Sequence, residues 1–256
     1  MTDHLQRTRE EFARQADSFA SSAAISDAAQ VARLVAAVGD LAGRRVLDVA
    51  CGPGIVARAL AEKAREVVAF DLTPQMIEKA RERCAKAGLS NVVFVEGSAA
   101  QLPFTDGAFD AVVTRLSFHH FIAPERVLAE MIRVLRPGGV LTVADVVSSE
   151  NRSKAELQNA IEILRDPSHV RMLPASELLA LFSRDDLAIE LQETWDKARE
   201  FEEWLGIVAA PERVAPLRVM VRALALAGQD AGIGLRIEDG AIRLFHRWQL
   251  VSCRKR

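Results

Sequence analysis

Residues 46–60, VLDVACGPGIVARAL, decide how the rest of the chain is read. An apolar run flanks Asp48, two glycines and a proline follow at once, and amphipathic helix periodicity takes over. A strand, a Gly-x-Gly turn and a helix N-terminus together form a site for the polar part of a nucleotide-like ligand. Glycine lets the backbone come close, and the helix start favours negative charge. Asp48 is the anomaly, because a carboxylate inside a buried strand is costly unless something pairs with it.

Outward from that stretch the pattern repeats. EVVAFD (66–71) reads as a strand, and the helix TPQMIEKARERCAKAG opens on Thr73-Pro74 and closes at Gly88. NVVFVEG and FDAVVTRLSF (109–118) read as strands. APERVLAEMIRVLR reads as a helix stopped by Pro137-Gly138-Gly139, and VLTVADVV (140–147) as a strand. Apolar strands alternating with amphipathic helices predict an α/β fold, a doubly wound and mostly parallel sheet covered on both faces. Before it, helical spacing is expected over 5–20, with Phe12, Ala16 and Phe19 on one side, and from about 26 to 38 with Asp27 as N-cap. After it, helices are expected at 153–165 and 174–183, a strand at 187–195 and a helical stretch at about 197–228. A hairpin is expected around Asp239-Gly240. Three regions result: an N-terminal helical lid (1–40), a ligand-binding core (41–150), and C-terminal edge strands (151–256) with a helical cap insert at about 197–231.

Composition narrows the function classes. The chain has 256 residues, a formal net charge of −2, and a charged fraction of 27% without a clustered basic excess, which argues against a nucleic-acid partner. The basic tail Arg254, Lys255, Arg256 reads as a solubilising end. Cys51, Cys84 and Cys253 are widely spaced and form neither a disulfide framework nor a zinc site, so no metal is expected. The start, MTDHLQRTREEF, is polar and unlike a signal peptide, and no apolar run suffices to span a membrane. The expectation is a cytoplasmic protein with no membrane insertion, as a monomer or a homodimer.

The glycine turn alone leaves the ligand class open. Gly52-x-Gly54-x-x-Ala57, with Asp71 nineteen residues after Gly52, also fits a dinucleotide fingerprint. Asp48 weighs against that reading, because a pyrophosphate would meet a carboxylate. The absence of any tyrosine removes the usual short-chain dehydrogenase acid. A ligand with a cationic amine beside a carboxylate suits both Asp48 and the helix start, and S-adenosylmethionine has that end together with a ribose for Asp71.

Here the chain resembles the class I S-adenosylmethionine-dependent methyltransferases. Within them it resembles the small-molecule group that includes the ubiquinone/menaquinone-biosynthesis (type 11) enzymes. DVACGPG looks like the family's D-x-G-x-G-x-G, VVAFDLTPQM its ribose-binding segment, and EGSAAQLPFTDGAFDAVV its adenine-side segment. RLSFHHF and LRPGGVLTVAD complete five matches in order across about 44–147. RDPSHVRMLP, with Trp195 and Trp204, resembles an uncharacterised bacterial branch of that group. The resemblance implies a seven-stranded, Rossmann-like sheet in which Asp48, Ala50, Gly52 and Gly54 surround the methionine end, and Asp71 holds the ribose. Leu72 and Met76 would flank the adenine, with Ser98 and Ala99 at its edge. Ala50 departs from the family's first glycine, and Ser98 stands where many members have aspartate.

Methyl transfer from a sulfonium asks the protein to align the acceptor, exclude water and supply at most a modest base. His119 and His120 are candidate bases, since histidine titrates near neutrality. Packing beneath the cap is the alternative for both. Arg115 is a candidate substrate anchor or cofactor-side ion pair. Phe12, Phe19, His169, Arg171, Trp195 and Trp204 are candidate acceptor-binding residues, the tryptophans as an apolar lid, against plain core packing. Two further readings stay open: a non-catalytic cofactor- or partner-binding protein on the same fold, and an NAD(P)-dependent reductase. The acceptor is expected to be a small, partly apolar or aromatic metabolite, methylated on C, O or N.

Overall fold

The computed structural model describes residues 2–256. Helices α1 (Thr2–Ser21) and α2 (Ala28–Val38) precede an alternating series: β1 (Arg45–Val49), α3 (Ile55–Ala61), β2 (Glu66–Asp71), α4 (Pro74–Lys86), β3 (Val92–Glu96) and β4 (Phe109–Arg115). A 3-10 turn (Phe118–His120) leads into α5 (Pro124–Val134) and β5 (Leu135–Val147). The remainder comprises α6 (Arg152–Arg165), α7 (Ala175–Ala180), β6 (Leu187–Glu200), α8 (Phe201–Gly206), α9 (Pro211–Leu226), β7 (Arg236–Glu238) and β8 (Ala241–Lys255). No helix among the described residues is long and apolar enough to cross a membrane.

One sheet carries all the strands, in the order β3-β2-β1-β4-β5-β8-β6, with β7 paired to β8. The first five are parallel, and β8 joins β5 antiparallel. The chain runs outward from β1 through β2 to β3, then returns to β4 on the other side of β1. That reversal leaves a crevice beyond the carboxyl ends of β1 and β4, the place where open α/β sheets bind ligands. Side-chain alternation builds the two cores. Leu47, Val49, Val68, Phe70, Val112 and Leu141 pack with α5 on one face. Val46, Val67, Ala69, Ala111 and Val113 pack with α2 and α3 on the other. Each such valine, leucine or phenylalanine side chain contributes roughly 1.5–3 kcal/mol by leaving water.

Local chemistry sets the element ends. Asp27 caps α2 by accepting from the backbone N–H groups of Ala29 and Gln30. Gly54 starts α3 at φ +76°, and a β-carbon there would lie 2.7 Å from both Ala80 Cα and Cβ on α4. Its role is therefore to let two helices approach. Ala50 and Leu116, directly beyond β1 and β4, also hold positive φ (54° and 56°) without being glycine. The two strained residues stand on either side of the crevice.

Four features depart from the sequence reading. The sheet has eight strands rather than seven, because the turn at Asp239-Gly240 (φ +50° and +76°) folds β7 back onto β8. Strand β6 continues to Glu200, so residues 197–200 are strand and not helix. Direct cross-strand ion pairs hold that extension, Asp196 with Arg247 (2.8 Å) and Glu200 with Arg243 (3.2 Å). The helical insert is shorter than expected, and α8 and α9 close on α6 and the β7–β8 hairpin as a separate core around Trp204, Leu205, Leu217 and Val221. Region 1–40 also divides, since α2 is a core helix of the sheet and only α1 reaches over the crevice.

Gly54→Ala is expected to lower stability by about 2–4 kcal/mol, from the left-handed conformation and the contact with α4. Ala50→Gly is expected to raise it by up to ~1 kcal/mol, because glycine adopts positive φ without strain. Thermal unfolding followed by circular dichroism measures both.

Candidate active site

A cavity opens in the crevice. Its floor is formed by Asp48 of β1 with Ala50 and Gly52 beyond it, and by Asp71 at the end of β2 with Leu72 and Met76 beyond it. Ser98 and Ala99 after β3 and Arg115 at the end of β4 line it further. His120 and Phe121 stand at one side, and α1 covers the top with His4, Leu5, Thr8, Phe12 and Phe19.

The carboxylates at the floor differ in their pairing. Asp71 is buried, and its two oxygens accept backbone N–H groups from Gly52 (2.8 Å) and Thr73 (2.9 Å). The aspartate thereby ties the glycine turn to the end of β2. Burial still raises its pKa above the ordinary carboxylate range, against those hydrogen bonds. Asp48 lies between β2 and β4, opposite Ala69 and Val113, with 1% exposure. Its Oδ2 is buried without a hydrogen-bond partner. Burial first, and then the nearby charge of Asp71, push Asp48 up to about 8.

Arg115 is the opposing charge. Its Nη1 donates to the carbonyl of Ile25 at 3.0 Å, while Nε and Nη2 are buried and unpartnered. The guanidinium carbon lies 5.3 Å from the centroid of the Trp248 ring. Burial lowers its pKa to about 10, with Asp27 and Asp48 pulling the other way. A buried carboxylate oxygen and two buried guanidinium donors thus border one cavity with no protein partner for either.

The histidines fall into two environments. His120 borders the cavity, and its Nδ1 donates to the carbonyl of Ser168 at 3.0 Å. That bond assigns the proton to Nδ1 and leaves Nε2 as the basic atom of a neutral ring. Phe12 of α1 packs edge-on against it, with ring centroids 4.9 Å apart. His119 does not border the cavity. Its Nδ1 donates to Asp145 Oδ1 at 2.6 Å. Burial opposes its charge, yet Asp145 holds its pKa above the ordinary histidine range. Among the described residues, no group of three or more His, Cys, Asp or Glu side chains is arranged to hold a metal ion.

This arrangement has counterparts. Residues 47–143 match the model of the methyltransferase domain. Bacillus subtilis YcgJ, named an uncharacterized methyltransferase, is 30% identical over 194 residues, covering 76% of this chain and 77% of that protein. The crystal structure of YcgJ superposes with a TM-score of 0.81 over 89% of this chain and 98% of that one. A demethylmenaquinone methyltransferase of Thermus thermophilus is 45% identical over 106 residues, 41% of this chain and 48% of that protein. The chain belongs to the methyltransferase family.

Several expected positions of this methyltransferase lie away from the cavity. Gly54 lies beneath it, at the contact of α3 with α4. His169 is buried, and its Nε2 donates to Asn159 Oδ1 at 2.9 Å. Arg171 turns outward into an ion pair with Glu177 at 2.6 Å. Trp195 stacks on Trp248 with centroids 5.9 Å apart and has Arg33 above it, on the outer part of the sheet. Trp204 is the centre of the insert's own core, with 1% exposure. The two tryptophans therefore form no lid, because each is used up by packing within its own layer.

Other cavity residues escaped the sequence reading. His4 Nε2 donates to the His120 carbonyl at 3.1 Å, with Thr8 Oγ1 3.2 Å away. Leu116 and Ile122 supply apolar wall, and Arg126 a cation. Only the positive φ of Leu116 marks its position, and that is invisible in sequence. Cys51 borders the cavity too, but burial raises its thiol pKa well above the ordinary value, and it fills space rather than reacting.

Asp48 makes the free protein pH-sensitive. Its folded pKa of about 8 exceeds the unfolded value of 3.8, so the folded state holds the proton more tightly. The resulting stability is full below pH 4 and is lost as the pH rises to 8, by at most ~1.4 kcal/mol per unit. Asp48→Asn is therefore expected to raise the melting temperature at pH 8 and to flatten its fall between pH 5 and 8. Scanning calorimetry across that window measures both.

Proposed function

We propose that this methyltransferase draws its methyl group from S-adenosylmethionine and passes it to a small, partly apolar acceptor. The observation that carries the reading is the pair of unpartnered buried groups of opposite charge type on one cavity, Asp48 Oδ2 and Arg115 Nε/Nη2. A ligand end with an ammonium beside a carboxylate satisfies both at once and removes two desolvation costs. A dinucleotide pyrophosphate would leave Asp48 unpaired and add repulsion. Each Asp71 oxygen carries one backbone hydrogen bond and keeps acceptor capacity for ribose hydroxyls. Leu72 and Met76 provide apolar flanks for an adenine, with Ser98 and Ala99 at its edge.

Bound there, S-adenosylmethionine supplies a methyl group already activated on a sulfonium. The chain's own residues do the rest. Leu5, Phe12, Phe121 and Ile122 exclude water and favour an acceptor with an apolar body. His120 receives the acceptor's proton at Nε2 while Nδ1 stays on the Ser168 carbonyl.

Calorimetric titration with S-adenosylmethionine from pH 6 to 9, beside NADH, tests the reading. The ligand's amine requires ionised Asp48, so affinity should rise by about tenfold per pH unit toward pH 8 and then level off. Asp48→Asn should bind at least tenfold more weakly and lose that slope. Binding of NADH in place of S-adenosylmethionine would sink the proposal. His120→Gln should bind the cofactor within about twofold of the parent yet lose roughly 10²–10⁴ in turnover of any acceptor found.

A further inference from the structure

Asp145, two residues before the end of β5, borders no part of the cavity, yet it gathers more donors than any group within it. Its Oδ2 accepts backbone N–H groups of Ser117 (3.1 Å), Phe118 (2.6 Å) and His119 (3.4 Å). Its Oδ1 accepts from His119 Nδ1 (2.6 Å) and from the N–H of Val146 (2.7 Å). Three successive amides converging on one carboxylate shape the 3-10 turn whose last residue is His120. The same carboxylate anchors the His119 ring, and that ring lies 4.3 Å, centroid to centroid, from the His120 ring.

The surroundings leave little room for either ring to change partners. From α6 and its end come Glu162, Arg165 and Asp166, together with His169, whose ring centroid is 5.5 Å from that of His119. From α1 comes His4, on the His120 carbonyl. The Ser168 carbonyl that receives His120 Nδ1 belongs to a turn in which Asp166 Oδ1 accepts the Ser168 N–H (2.9 Å) and hydroxyl (2.6 Å). Asp166 Oδ2 in turn accepts from Gln15 Nε2 of α1 at 3.3 Å. His120 is thereby held through its turn, where its N–H donates to the Ser117 carbonyl, by Asp145, and at its ring by Ser168.

We propose that Asp145 and His119 are positioning residues for His120: the carboxylate sets the turn that presents the ring, and the imidazolium it anchors keeps His120 a neutral, weak base. This rests on the reading of His120 as the proton acceptor. The pKa directions agree with the geometry. Burial and then the His119 charge push His120 down to about 4, while His119 is held above the ordinary range. A weak neutral base suits an acceptor whose proton is already acidic, such as a phenol, an enol or an activated carbon acid, or becomes so as the new bond forms. It does not suit one that must be fully deprotonated beforehand. The step balances: the sulfonium S–CH₃ bond breaks with its electron pair left on sulfur as a neutral thioether, the X–CH₃ bond forms, and the acceptor's X–H bond breaks with its proton passing to His120 Nε2.

Titration of histidine ring signals by NMR in the full chain, without cofactor or acceptor, tests this independently of whether methyl transfer occurs. In the parent, His120 is expected to show no protonation above pH 5, and His119 to remain protonated beyond pH 6.5. His119→Gln removes the neighbouring cation and is expected to raise the His120 midpoint by one unit or more. Asp145→Asn is expected to lower the His119 midpoint and raise that of His120. If it fails to fold, His119→Gln decides alone. A His120 midpoint unchanged within 0.3 unit in His119→Gln, or a parent His119 that is neutral at pH 6, overturns the proposal. Failure of S-adenosylmethionine to bind the parent would sink the functional reading and leave the titration result standing.

Discussion

The structure turns on a buried carboxylate with one oxygen unpartnered. Asp48 sits in the middle strand of a parallel sheet, between β2 and β4, and one of its oxygens is buried and unsatisfied. Isolated, such a group costs several kcal/mol and shifts toward its neutral form, which is the direction seen here. The sheet tolerates it because Val46, Val49 and their neighbours on four strands are packed on both faces. Stability supplied by the cores is thus set against binding capacity stored at one strand end. Asp71, the strain at Ala50 and the glycine turn belong to the same local compromise.

Charge is arranged along the cavity in a definite order. The two aspartates lie at the floor, Arg115 stands beside them and reaches the Ile25 carbonyl, and the neutral His120 faces α1 at the other end. Ionised groups that could compete for the same proton are kept outside: Asp145 is taken by His119, and Asp166 by Ser168 and Gln15. In the proposed reading, this order keeps the ligand's ammonium end at the aspartates, away from a proton transfer at His120.

Much of this was legible in the sequence because it follows from short-range rules. The alternation of apolar strands with amphipathic helices across 44–147 requires a covered parallel sheet. Gly52, Gly54 and Asp71 fall where a ligand-binding turn needs them. The C-terminal third was less legible for a physical reason. TWDKARE carries charges at every spacing, and only cross-strand partners far along the chain, Arg243 and Arg247, make a strand of it. Trp204 looked like a lid because sequence gives periodicity without saying which neighbour is covered. His4 and Leu116 were missed because one sits in a polar helix start and the other is marked only by backbone strain.

Helix α1 explains why the acceptor end is the least legible part of the site. Thr8, Glu11 and Gln15 are buried polar residues on it, and its attachments are ion pairs and hydrogen bonds. Glu11 meets Arg213, Asp17 meets Lys79, Gln15 meets Asp166 and Ser18 meets the Ile207 carbonyl. Of these, only Asp17–Lys79 lies in solvent and contributes little, whereas Glu11–Arg213 and Gln15–Asp166 are largely buried, and removing one partner there leaves an uncompensated buried polar group. The cavity thus takes the apolar wall of Leu5, Phe12 and Phe19 from a helix whose own hold on the protein is largely polar, and a sequence pattern of apolar spacing reports the first without the second.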